Sequence, residues 1–135
     1  MELHLKITGY ILIIFSLIHF IFPKYFDWKN DLGKMNMINR QMMYVHTFFI
    51  ALTLLLMAIL CLTSPKELLE TAFGGKIALG FCIFWFIRLL IQLFGYSAKL
   101  WKGKSFETFI HILFSFCWIY LSTVFFLIYW ENKGI

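Results

Sequence analysis

The chain has 135 residues, 61% of them hydrophobic and 14% charged, with a formal net charge of +5. A soluble domain is about 45–50% apolar and about 25% charged, and one of this length leaves too much surface in water to hide so much apolar material. Composition therefore excludes an ordinary soluble domain. Because Lys and Arg lie almost entirely between apolar segments, the positive balance reads as a membrane-topology signal and not as nucleic-acid binding.

Four apolar runs follow one another, approximately Leu5–Phe22, Met42–Thr63, Ile77–Tyr96 and Phe109–Trp130. Each approaches or exceeds the roughly 20 residues that cross a hydrocarbon core of about 30 Å. Lipid demands internal backbone hydrogen bonding, so long continuous runs become helices. The pattern predicts an all-α integral membrane protein: a single transmembrane domain, a four-helix bundle with an up-down-up-down path, set in a lipid bilayer.

The start of the chain, Lys6 and then the apolar stretch Ile7–Phe22, has the outline of a signal peptide, but the small-residue cleavage pattern is missing and large residues (Ile21, Phe22, Pro23, Lys24) stand in its place. It reads as a retained first span that Pro23 ends. Loop one holds Met35, Met37, Met42 and Met43 in its second half and at the start of the next run. Thioethers suit Cu(I), but methionine is also a common apolar filler, and that is the reading adopted. Asn39-Arg40-Gln41 marks the water interface. After the second run, Ser64-Pro65-Lys66-Glu67 has the form of a capping box with proline at the first helical position. It predicts a short interfacial helix over Pro65–Ala72 in loop two, ended by Gly74-Gly75. Lys99–Ser105 forms a basic turn into the fourth run. Trp28, Tyr96, Trp101, Tyr129 and Trp130 fall near span ends, where aromatic belts form. Cys61, Cys82 and Cys117 lie inside apolar runs and read as small core residues.

Loops one and three share one side of the membrane and carry Lys24, Lys29, Lys34, Arg40, Lys99, Lys102 and Lys104. The other side carries Lys6, Lys66, Lys76 and Lys133. The excess places loops one and three in the cytoplasm and both termini outside.

Each run also carries polar or small residues at helical spacing: Gly9, Leu12, Ser16 and His19; His46, Ile50 and Thr53; Phe81, Trp85, Arg88, Gln92 and Gly95; Thr108, His111, Ser115, Trp118 and Ser122. Spacings of three, four and seven stack side chains on one face. Polar groups facing hydrocarbon are costly, so these stripes are expected to face inward. At about 1.5 Å per residue, His19, His46 and His111 fall within one or two turns of the loop-one and loop-three interface. Gln92 reaches a similar level, and Arg88 can extend to it.

Arg88 has no Asp or Glu within any span core; Asp27, Asp31 and Glu107 at the interface are the nearest candidates. An intramembrane guanidinium calls for an anion and usually marks function. Three readings of the layer stay open. His19, His46 and His111 could ligate a transition metal, or two of them a haem with Arg88 on a propionate. Arg88, Gln92 and the histidines could instead hold the head of a lipid-soluble ligand or quinone, a pocket that an enzyme acting on such a substrate would share. Lastly, the polar groups could only join helices, in a scaffold, a homo-oligomer or an accessory subunit of a membrane complex. There is no G-x-S-x-G elbow, no phosphate-binding glycine loop and no local metal motif.

Overall fold

The computed structural model describes all residues from 1 to 135, and every regular element in it is helical. In chain order these are α1 (Glu2–His19), α2 (Phe22–Tyr25), α3 (Trp28–Asp31), α4 (Met37–Thr63), α5 (Pro65–Glu70), α6 (Ala72–Leu90) and α7 (Ser105–Asn132). A π turn, Ile91–Gly95, continues α6, and a single 3₁₀ turn, Ala98–Leu100, lies between it and α7. Four segments are long and apolar enough to cross a membrane: α1 with 18 residues, α4 with 27, α6 with its π turn at 24, and α7 with 28. The all-α, four-span expectation holds, and the protein is an integral multi-pass membrane protein.

Helix ends depart from the apolar runs in instructive ways. Helices α4 and α7 begin five and four residues before their runs, at Met37 and Ser105, because polar residues wind as readily as apolar ones until the backbone turns extended, at Asn36 and Lys104. At the other end of loop one, α1 stops at His19, and Pro23 instead sits in the first turn of α2. There its missing N–H would have had no helical partner.

The glycine pair is the clearest correction. Gly74 and Gly75 do not end the loop-two helix; they lie inside the first turn of α6. The break falls at Thr71, which is extended and whose hydroxyl accepts from Gly74 N at 2.8 Å. That hydroxyl also donates to Glu67 O at 2.6 Å. Glycine is required by close approach: a Cβ on Gly74 would collide with Glu67 O and come within 2.6 Å of Leu68 Cα. A Cβ on Gly75 would lie 2.9 Å from Asn132 Cβ. Asn132, near the end of α7, donates from Nδ2 to Leu68 O at 2.7 Å and Thr71 O at 3.1 Å. It thereby satisfies the Leu68 carbonyl, which the end of α5 leaves without a helical partner, and adds to the bond that Thr71 O accepts from Gly75 N.

The chain forms two compact units, residues 3–65 and residues 66–135 with the first two residues. In the first, Ser16 Oγ donates to Ala51 O at 2.7 Å, while Gly9 lies against Ala58 and Leu62. As one helix descends the other rises, so α1 and α4 are antiparallel. In the second, Phe81 meets Phe125, Trp85 meets Trp118 and Gln92 meets His111, so α6 and α7 are antiparallel too.

Candidate functional site

Two of the four stripes meet face to face. Along α6 and α7, Phe81 packs edge-on to Phe125 with centroids 5.2 Å apart. Trp85 stacks on Trp118 at 5.1 Å and 12°. Trp85 and Gln92 are buried, Arg88 and His111 half-buried. Above the stacked indoles, α6 loosens into its π turn, with Tyr96 N donating to Ile91 O across five residues. Single π turns recur at functional sites, and this one carries Gln92.

Gln92 is the hub. Its Oε1 accepts from Arg88 Nη1 and from Trp118 Nε1, both at 3.3 Å, and its Nε2 lies 2.8 Å from His111 Nδ1. Guanidinium and indole nitrogens only donate. Their convergence fixes which end of the amide is oxygen. Nε2 must then donate to His111, so Nδ1 is an acceptor and the neutral imidazole carries its proton on Nε2. Trp101 covers the imidazole, with centroids 3.8 Å apart and planes 10° from parallel. Thr108 Oγ1 holds that part of loop three by donating to Trp101 O at 2.6 Å.

Arg88 extends toward loop three, as expected. Its Cζ lies 5.1 Å from the Trp118 ring centroid and 5.6 Å from that of Tyr96. These ring faces attract a cation, but neither they nor the amide of Gln92 is an anion. The expected carboxylate candidate on this unit, Glu107, is exposed and is not its partner.

The other two candidate histidines, His19 and His46, belong to the 3–65 unit. The ring of His19 contacts Phe22 at 4.8 Å. Its Nδ1 lies 2.6 Å from Phe15 O; a carbonyl can only accept, so Nδ1 carries the proton. His19 also lines a cleft of about 120 Å³ with residues including Pro23, Trp28, Tyr44, Thr47 and Phe48. His46 is exposed, and the inward orientation expected for His46, Ile50 and Thr53 is not met. The buried face of α4 is Ala51, Leu54, Met57, Ala58 and Cys61. Thr53 tolerates the outward position because its hydroxyl donates to Phe49 O of its own helix at 2.8 Å.

No group of three or more His, Cys, Asp or Glu side chains is placed to hold a metal ion. Within its unit the structure joins Arg88, Gln92 and His111. Trp118 was legible as part of its stripe. The roles of Trp101 and Tyr96 beside His111 and Arg88 were not, because both read as interfacial anchors.

The fold and site define a four-span helical membrane protein with a polar hub between its last two long helices. Comparison with family models, curated proteins and solved structures returned no match.

Proposed function

We propose that this protein binds the anionic head of a membrane amphiphile, a phosphate or carboxylate on an apolar body, at Arg88. The observation that carries the reading is the state of Arg88: an intramembrane cation, half-buried, with only Nη1 hydrogen-bonded and only to a neutral amide. An anion would convert weak contacts into charge-assisted hydrogen bonds, which are about twice as strong as neutral ones. Gln92, Trp118 and Tyr96 hold the guanidinium in place beforehand, which lowers the ordering cost of binding. Lys99, Lys102 and Lys104 of loop three are exposed in the same unit and would draw anionic lipid toward it. The same basic loop supports a cytoplasmic location for loop three.

A metal or haem at His111 has less support. With Nδ1 accepting from Gln92 and the proton on Nε2, that imidazole has no lone pair to offer, whereas a ligating histidine donates from one nitrogen and coordinates through the other.

Mass spectrometry of lipid retained by the purified full-length protein tests the reading. Wild type is expected to carry anionic lipid through delipidation, and Arg88→Gln to lose it while keeping native helicity. Equal retention by the two proteins would overturn it and leave the hub as a helix-joining device.

A further inference from the structure

The cleft beside His19 has its own chemistry, independent of the Arg88 reading. We infer that it is a second binding site, for the phenolic or hydroquinone ring of a membrane-soluble molecule. Its volume, about 120 Å³, is of the order of the ~150 Å³ cavities that take up benzene. That fits one six-membered ring and excludes a sterol or a porphyrin. The walls are largely aromatic: Trp28 meets Tyr44 edge-on at 5.4 Å, and Phe20 meets Phe48 at 6.3 Å. Rings prefer such tilted arrangements around another ring.

Two polar groups select for a hydroxyl. Because His19 Nδ1 donates to Phe15 O, the neutral imidazole is left with a bare acceptor at Nε2. Contact with Phe22 holds the ring in that setting. Thr47, also on the wall, has spent its hydroxyl proton on Met43 O at 2.8 Å, so toward a ligand its oxygen can only accept. An aromatic ring bearing an O–H donor satisfies such acceptors; a benzene, an aryl ether or an oxidised quinone, which lack that donor, does not. The cleft lies where α1 ends and Pro23 and Trp28 of the short loop-one helices approach Tyr44 and Thr47 of α4. A ring entering there can leave an alkyl tail in the bilayer.

The test is titration of the full-length protein in lipid nanodiscs with 4-butylphenol and with 4-butylanisole, its methyl ether. Matched nanodiscs without protein subtract partitioning. Wild type is expected to bind the phenol roughly three- to tenfold more tightly than the ether, the fold-change that one net hydrogen bond is worth. His19→Phe, which keeps a ring but removes the stronger acceptor, is expected to reduce the preference. Thr47→Phe, at a half-buried position on the wall, is expected to fill the cleft and abolish binding of both. Arg88→Gln should leave the preference intact. Equal affinities in wild type, which need no variant to measure, would overturn the inference. So would a phenol preference that survives undiminished in helical His19→Phe protein.

Discussion

Gln92 donates from Nε2 to His111 Nδ1 at 2.8 Å, and that one contact dictates the protonation pattern of the hub. The amide cannot turn over without presenting its NH₂ to two groups that only donate, Arg88 and Trp118. The imidazole tautomer is thus decided by an indole and a guanidinium that it need not touch.

Gln92→Glu tests this relay. A carboxylate still accepts from Arg88 and Trp118, but it has no hydrogen for His111. The imidazole is then expected to move its proton to Nδ1, or to acquire one there. Nitrogen-15 chemical shifts of the His111 ring read the change directly. An unchanged Nε2–H pattern would show that the amide orientation is not what holds the tautomer.

Gln92→Leu removes the hub outright and leaves Trp118 Nε1 and Arg88 Nη1 without their acceptor. Side-chain hydrogen bonds between membrane helices average about 0.6 kcal/mol and reach about 1.7. Loss of this set is expected to destabilise the protein by about 1–3 kcal/mol in reversible unfolding from mixed micelles. Ser16→Ala, which removes one hydroxyl bond to Ala51 O, should cost less than about 1 kcal/mol by the same measure.

Two glycines in α6 should behave oppositely. Gly74→Ala drives a Cβ into the backbone of Glu67 and Leu68, which cannot swing aside as a side chain would. A loss of about 1–3 kcal/mol is expected. Gly80 has nothing within 4 Å of its would-be Cβ. Gly80→Ala is expected to be neutral or to stabilise by up to about 1 kcal/mol through helix propensity. Thermal unfolding of the two variants side by side checks both signs.

Asn132→Ala takes the side-chain amide from Leu68 O and Thr71 O. A loss of about 1–2 kcal/mol is expected. Hydrogen exchange should rise around residues 66–76 and 128–135, with the amides of 105–118 unaffected. Uniform acceleration over the whole of α7 would contradict a local clasp.

The sequence disclosed the spans because lipid leaves the backbone few choices. It disclosed the α6 and α7 stripes because Trp85, Arg88 and Gln92 on one helix and His111, Ser115 and Trp118 on the other repeat at helical intervals. The α4 stripe misled for a physical reason. Helices in lipid approach most closely through small residues, and Ala51, Ala58 and Cys61 occupy the buried face. Thr47, Thr53 and Thr63 all donate to the carbonyl four residues earlier. A threonine that satisfies itself carries little information about which way is in. Gly74-Gly75 misled likewise, since a glycine demanded by a neighbouring backbone looks the same in sequence as one that ends a helix. The π turn at Ile91–Gly95 left no periodic trace, and the cleft beside His19 depends on how loop one folds back.

That π turn has a consequence for how the chain tolerates change in length. It holds one residue more than an α-helical turn spanning the same rise would need. Removing any residue between Ile91 and Gly95 would therefore do little to shorten the span. With one residue fewer between Gln92 and Tyr96, the same Tyr96 N–H can reach Ile91 O as an ordinary α-helical bond, so the chain beyond keeps nearly its direction and Tyr96 its place beside the guanidinium. In this stretch of the molecule a one-residue deletion is absorbed, whereas in plain α-helix it would turn everything beyond it by about 100°.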